Sequence, residues 1–103
     1  RKEMKPLIID ISILDEQDRK IVMHAEVPIA IVKYKKSFFA FDNRCPHRGG
    51  ALYKGKMKNT IITCPLHKWK FNLESGFCIN NNKIRIKKFK VNQVKNKLII
   101  DCD

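Results

Sequence analysis

Two short segments of this chain each pair a cysteine with a histidine. His47 lies two residues after Cys45, and His67 lies three residues after Cys64. Each pair brings one thiolate and one imidazole within a single loop's reach of a common point, so the two pairs together predict a metal site. A [2Fe-2S] cluster suits this ligand set, because one of its irons can take both thiolates and the other both imidazoles. The predicted chemistry is the transfer of single electrons.

Two other uses of these residues have to be compared with an iron-sulfur cluster. The four cysteines, which include Cys78 and Cys102, would also allow two disulfides, as in small secreted domains. A disulfide scaffold does not require histidines beside two of its cysteines, and the sequence opens without an apolar export signal. Structural zinc also takes two cysteines and two histidines, although zinc fingers usually place cysteine next to cysteine and histidine next to histidine along the sequence. Spacing alone therefore favours iron-sulfur and leaves zinc open.

The residues that flank the two pairs decide between these metals. The first segment reads Cys45-Pro46-His47-Arg48-Gly49-Gly50, and the second reads Cys64-Pro65-Leu66-His67-Lys68-Trp69 and closes at Glu74-Ser75-Gly76. With these flanks, residues 43–76 resemble the Rieske family. The resemblance implies that Cys45 and Cys64 hold the inner ferric ion. It implies that His47 and His67 hold the outer, redox-active iron close to the protein surface.

Several positions depart from the respiratory cytochrome-bc branch of that family. Gly50 and Leu66 stand where that branch carries a disulfide-forming cysteine pair, and Trp69 and Phe71 stand where it places hydroxyl donors to cluster sulfur. Lys68 replaces a glycine often seen after the second histidine. Fewer donors to sulfur predict a reduction potential toward the lower end of the Rieske range of about −150 to +300 mV. This pattern favours a ferredoxin-like carrier over a quinol oxidase.

Length and composition agree with one compact module. The chain has 103 residues, of which 44% are apolar, and it shows no repeat or low-complexity linker. We expect a single Rieske domain over residues 1–103, with a cluster-binding subdomain at about 43–76. No apolar run approaches the length of a membrane span, so the expected location is the cytoplasm.

The pattern of short apolar runs between polar turns predicts an all-β protein. Residues 34–38 and 94–98 are typical of hairpin turns, which join neighbouring strands in antiparallel order. The family resemblance adds an antiparallel β-sandwich base that carries a small sheet-and-loop subdomain for the cluster. The predicted strands cover residues 7–13, 20–25, 29–34, 38–41, 60–63, 69–73, 84–86, 89–94 and 98–101.

The remaining cysteines and the third histidine are interpreted as structural residues. Cys78 follows a glycine in an apolar run and is predicted to be a small core residue. Cys102 is predicted to be a strand residue or a free thiol. His24 lies in a strand-like run without a partner motif, so we expect an ordinary structural or surface histidine.

The net charge of +12 suits an acidic partner but does not require one. Nucleic acid is disfavoured, because the sequence has no basic helix and no aromatic RNA-binding motif. Basic residues alternate with isoleucines over residues 83–87, a pattern typical of a strand with one solvent-exposed face. The basic residues are Lys83, Arg85 and Lys87. This face is either merely solvated or steers an acidic redox partner in short encounters.

The chain is not expected to be an enzyme by itself. A Rieske oxygenase also needs a mononuclear iron held by two histidines and a carboxylate, and only His24 remains for that role. The motifs look closest to the small subunit of assimilatory NAD(P)H nitrite reductase, with the ferredoxin of a ring-hydroxylating dioxygenase as the alternative and a structural zinc module third. The expected partner is a flavoprotein reductase, a reductase large subunit or a terminal oxygenase, with no nucleic acid and no membrane.

Overall fold

The regular structure of this protein is almost entirely β, as the sequence predicts. The computed structural model describes residues 5–46, 49–66 and 68–102. Within these ranges nine strands form two antiparallel sheets. The strands are β1 (Leu7–Asp10), β2 (Arg19–His24), β3 (Val27–Tyr34), β4 (Ser37–Asp42), β5 (Lys56–Lys58), β6 (Ile61–Thr63), β7 (Lys70–Asn72), β8 (Lys88–Val94) and β9 (Lys97–Asp101).

The larger sheet has six strands in the order β1-β9-β8-β4-β3-β2. Among the described residues, the strand pairing that joins its two halves is short and runs between β4 and β8, at Ala40 with Phe89 and at Phe41 with Lys88. Residues from both halves nevertheless share one apolar core, so the sheet curves into a sandwich-like base. That core consists of Ile9, Ile29, Ile31, Ala40, Phe89, Leu98, Ile100 and Cys102.

Two-residue turns connect the hairpins of this base. The predicted turns at residues 34–38 and 94–98 are confirmed, because Tyr34 pairs with Ser37 and Val94 pairs with Lys97. A further turn, at Ala25 and Glu26 between β2 and β3, has no signal in the sequence pattern. Both of its residues have positive φ, as a turn that matches the strand twist requires.

Strand β3 lies at the centre of the molecule and is buried on both faces. Successive side chains of a strand point to opposite faces, so Ile29 and Ile31 pack into the base core while Ala30 and Val32 pack into a second core. The second core lies between the base and the three-stranded sheet β5-β6-β7, and it contains Cys45 and Cys64. Burial on both faces of β3 therefore couples the base to the cysteine loops.

Arg19 in β2 makes a second connection between the base and the small sheet. Its Nη1 donates to the backbone oxygens of Tyr53 and Gly55, each at 2.6 Å. These oxygens lie at the end of a 3₁₀ turn (Leu52–Lys54) that leads into β5. Carbonyls at such an end have no partner within the turn, and the guanidinium supplies one.

Three segments differ from the predicted strands. Ile11–Ile13 is a 3₁₀ turn, because the Asp10 carboxylate accepts from the Ser12 N–H and caps it. Residues 84–86 make only an isolated bridge, between Phe77 and Arg85. Lys56–Lys58 lies outside the predicted strands but forms a strand that pairs with β6. Its strand conformation comes from that pairing and not from local sequence preference.

No helix within residues 5–46, 49–66 and 68–102 is long and apolar enough to cross a membrane.

Candidate metal centre

The first cysteine lies in the loop between β4 and the 3₁₀ turn. Cys45 is buried, with 3% of its surface exposed. Its backbone N–H donates to the Gly50 carbonyl at 2.8 Å, and its own carbonyl accepts from the Gly49 N–H at 2.6 Å. Gly49 has a φ of +74°, a conformation that favours glycine. The loop therefore turns back on itself directly after the cysteine.

The second cysteine lies in the loop between β6 and β7. Cys64 is buried at 1% exposure. Its N–H donates to the Trp69 carbonyl at 2.7 Å, and its carbonyl accepts from the Lys68 N–H at 3.0 Å. This loop is thus closed by the same kind of backbone contact as the first one.

The two loops meet at Gly50. A Cβ atom at this glycine would lie 3.1 Å from the Cys64 Sγ and 2.9 Å from the Leu66 Cδ1. The Gly50 carbonyl, on the same residue, holds Cys45. A single residue without a side chain therefore lies between both cysteine loops, and a side chain at this position would crowd the Cys64 sulfur and Leu66.

An ion pair stabilises the entry to the first loop. The Arg44 side chain donates to the two oxygens of Asp42, at 2.9 and 2.6 Å, and the Arg44 N–H donates to the same carboxylate at 3.0 Å. Partial burial disfavours the charged carboxylate, but these hydrogen bonds outweigh it, so the pKa of Asp42 lies below its ordinary value. The resulting stabilisation is present above the ordinary carboxyl pKa and is lost as the pH falls.

The predicted imidazole ligands, His47 and His67, lie outside the described residues. The structure therefore brings the loops of Cys45 and Cys64 together and leaves the two histidines as a prediction. The third histidine, His24, is half-buried near the end of β2. It lines a cavity of about 120 Å³ on the base, together with Asp42, Arg44 and Cys102.

The other two cysteines are buried, and none of the four forms a disulfide. Cys78 belongs to the core that also contains Cys45 and Cys64, so the prediction of a core residue is confirmed. Cys102 follows β9 and packs into the base core. Burial raises the pKa of its thiol, which keeps the sulfur protonated at neutral pH.

Lys68 occupies a strained position in the second loop. Its φ is +59°, a conformation that places the Cβ of an L-residue too close to its own backbone and costs about 1–2 kcal/mol. We expect Lys68→Gly to raise the free energy of unfolding of the loaded protein by about 1 kcal/mol, after subtraction of the entropy lost with glycine. Urea unfolding followed by circular dichroism measures this.

Lys70→Gly is the matched control for that change. Lys70 is an exposed lysine two residues further on, but it lies in β7 with ordinary strand geometry. Glycine weakens a strand, so this variant should be less stable than the wild type. A destabilised Lys68→Gly variant would contradict the assignment of strain at this position.

Two contacts at the site join residues that lie far apart in the sequence. The contact of Arg19 with the turn before β5 joins residues more than thirty positions apart. The contact of Gly50 with Leu66 also depends on how the two loops fold together. For this second contact a signal did exist, because both residues stand where the cytochrome-bc branch carries its disulfide.

Comparison with curated proteins finds partial matches. The chain is 42% identical over 64 residues to the oxygenase subunit of carnitine monooxygenase from Acinetobacter baumannii. The matched residues make up 59% of this chain and 17% of that protein. It is 31% identical over 65 residues to the ferredoxin component of the alkene monooxygenase system of Xanthobacter autotrophicus, 62% of this chain and 53% of that one. The chain thus spans about a sixth of the first relative and about half of the second.

Solved structures match over nearly the whole chain. The ferredoxin of carbazole 1,9a-dioxygenase from Nocardioides aromaticivorans superposes with a TM-score of 0.83 at 17% identity, covering 97% of this chain and 100% of that one. A protein described as the small subunit of an NADPH nitrite reductase gives 0.81 at 18% identity, covering 97% and 98%. At these identities the likeness shows the fold, and it confirms the predicted antiparallel architecture.

The donor set of the described residues fits a [2Fe-2S] cluster. Two buried cysteines that form no disulfide lie on loops that converge at Gly50, and thiolates are the sulfur ligands that such clusters require. The model of the Rieske [2Fe-2S] domain matches residues 5–90, which include both loops, the small sheet and most of the base. The chain therefore belongs to the Rieske [2Fe-2S] domain family, whose domain carries one [2Fe-2S] cluster per chain.

Proposed function

We propose that this chain is a one-electron carrier and that Cys45, His47, Cys64 and His67 hold its cluster. In this proposal the two thiolates bind one iron and the two imidazoles bind the other. The observation that carries it is the meeting of both cysteine loops at Gly50 within a Rieske domain. When bound, the cluster accepts and releases one electron at a time. Residues 43–76 then act as the cluster-binding subdomain of one domain that spans residues 1–103.

The proposed site has a buried side, which holds the sulfur ligands, and an exposed side, which faces solvent. Burial of Cys45 and Cys64 keeps water away from the sulfur ligands. Phe71, fully buried in the same core, adds bulk there without a hydroxyl. On the outer side Pro46, Pro65 and Leu66 are exposed. A redox partner can therefore approach the loops from outside while the sulfur ligands stay in the core.

The catalytic centre that uses the electron belongs, in this proposal, to another protein or another domain. We infer a carrier in a nitrite-reductase-type system, as its small subunit or ferredoxin-like component. Its structural likeness to a protein described as a nitrite reductase small subunit supports this. An equally supported alternative is the ferredoxin of an oxygenase. It is favoured by the alkene monooxygenase ferredoxin and by the carbazole dioxygenase ferredoxin. The cytoplasm is the proposed location.

The central test is the identity of the metal. Purified protein should be red-brown and contain about two irons and two acid-labile sulfides per chain. A potentiometric titration should show a single one-electron step. The reduced protein should give the low average g value of mixed histidine and cysteine ligation. A colourless protein with one zinc and no sulfide would contradict the proposal and show that the chain is a binding module with a structural zinc.

The two partner systems can then be separated by reoxidation of the reduced chain. The chain is reduced stoichiometrically, freed of reductant, and mixed either with a nitrite reductase large subunit or with a terminal oxygenase that holds its aromatic substrate. Fast reoxidation by one partner and not by the other decides between them.

A further inference from the structure

The positive charge of this chain is concentrated around the cysteine loops. Residues 43–73 contain no aspartate or glutamate, although the whole chain has ten acidic residues. The same stretch carries more than half of the net charge of +12. Its basic residues are Arg44, Arg48, Lys54, Lys56, Lys58, Lys68 and Lys70.

Three of these lysines line one groove beside the second cysteine loop. The groove has a volume of about 270 Å³. It lies where the end of the 3₁₀ turn, the start of β5, the end of β6 and the second loop come together. We call it the lysine groove, and it is lined by Lys54, Gly55, Lys56, Thr63, Pro65 and Lys68.

The lysine groove presents charge that the described part of the chain does not neutralise. Lys54, Lys56 and Lys68 are all exposed. Within residues 5–46, 49–66 and 68–102, the ion pairs are Asp42 with Arg44 and Asp10 with Lys97, and neither involves this groove. Three like charges around one concave surface concentrate a positive potential there.

An exposed apolar side chain, that of Leu66, follows the groove residue Pro65 in the sequence. Leu66 lies in the second loop, and 60% of its surface is accessible. A central apolar residue with charged neighbours is the usual composition of a protein interface, in which the apolar contact supplies affinity and the rim charges supply orientation.

We propose that the lysine groove, with Leu66 beside it, is the docking surface for an acidic segment of the redox partner protein. The inference rests on the proposed electron-carrier function and names the surface through which that function is exercised. Charge complementarity selects the partner, because three exposed lysines around one concave surface attract carboxylates. The position selects the role, because Pro65 and Lys68 belong to the loop that starts at Cys64.

The other basic surface, at Lys83, Arg85 and Lys87, contains no residue of the second cysteine loop, although Lys87 shares a cavity with Asp42 and Arg44. Its backbone pairs with residues 76–78, and the Arg85 guanidinium lies 5.9 Å from the centre of the Phe77 ring. It includes no residue of either cysteine loop. This surface therefore provides a control with the same number of charges.

The test compares two triple variants of the cluster-loaded chain. One is Lys54→Glu/Lys56→Glu/Lys68→Glu, and the other is Lys83→Glu/Arg85→Glu/Lys87→Glu. The probe is a fluorescein-labelled hexaglutamate peptide at low salt, with a single-stranded DNA hexamer as the competing polyanion. We expect the groove variant to bind the peptide at least about tenfold more weakly than the wild type, and the control variant to stay within about twofold.

A second measurement links the lysine groove to electron transfer. Oxidation of the reduced chain by ferricyanide, an anionic oxidant, should slow severalfold in the groove variant and change less than twofold in the control. Unchanged visible and circular dichroism spectra show that cluster and fold are intact.

Equal losses in the two variants, with the cluster intact, would overturn the proposal, since the binding would then follow total charge. Tighter binding of the DNA hexamer, lost in the groove variant, would overturn it in favour of a nucleic acid. Absence of iron and sulfide from the wild-type chain overturns instead the electron-carrier function and with it the redox role of the groove.

Discussion

Replacement of either proposed cysteine ligand by serine is expected to abolish cluster assembly. In the proposed site Cys45 and Cys64 supply the two thiolates, and a serine hydroxyl cannot take their place at neutral pH because it stays protonated. The Cys45→Ser and Cys64→Ser variants should lack the visible absorption of the wild type and contain less than about a tenth of its iron and sulfide. Absorption spectra with iron and sulfide analysis of the purified variants measure this.

The two remaining cysteines are the matched controls. Cys78 is as deeply buried as the proposed ligands and belongs to the same core, and Cys102 lies in the base core. Cys78→Ser and Cys102→Ser should therefore lose some stability, because each buries a hydroxyl, while the visible spectrum stays that of the wild type. A folded but bleached Cys78→Ser variant would show that the set of four ligands is wrong.

Gly55→Ala is expected to disrupt the small sheet more than any other glycine substitution. A Cβ atom at Gly55 would lie 2.0 Å from the Thr63 carbonyl oxygen and 3.1 Å from the Leu52 carbonyl oxygen. Both obstacles are backbone, so neither can rotate away. Separation of the chain segments should lower the free energy of unfolding by about 3 kcal/mol, the upper end of the usual cost of overpacking. Because Thr63 directly precedes Cys64, cluster content should fall as well.

Gly49→Ala separates crowding from backbone conformation. Gly49 has positive φ, but apart from its chain neighbours no atom of the described residues lies within 4 Å of the position that a Cβ would take. Gly55, by contrast, has a φ of −73° that any residue adopts. Gly49→Ala should therefore cost about 1 kcal/mol of backbone strain and leave the cluster in place. Urea unfolding of both variants, with iron analysis, makes the comparison. Equal stability losses at the two glycines would contradict the steric argument.

The sequence predicts most of the fold because most strands carry their own pattern. The runs in β3, β8 and β9 are apolar or alternating, and their hairpins use two-residue turns that close locally. The failures occur where the conformation depends on other parts of the chain. Lys56–Lys58 has no strand preference and is ordered by β6. Residues 84–86 alternate like a strand but find no neighbouring strand to pair with beyond one bridge.

The candidate site divides in the same way. Cys45 and Cys64 can be proposed as ligands from the sequence, because each lies two or three residues before a histidine. The proximity of Lys54, Lys56 and Lys68 cannot be predicted in this way, because a turn, a strand and a loop must fold against one another before these charges share a groove. The same holds for Arg19, whose contact with the turn depends on the pairing of β2 with β3.

The contact between Gly50 and Leu66 joins the loops at the two positions where a relative would carry a disulfide. A disulfide can be cut by a thiolate and reformed, so its presence depends on the redox poise of its surroundings. A packing contact contains no bond that a reductant can break. The contact at these two positions is therefore independent of thiols. Its strength depends on how well the side chain at position 66 packs against Gly50.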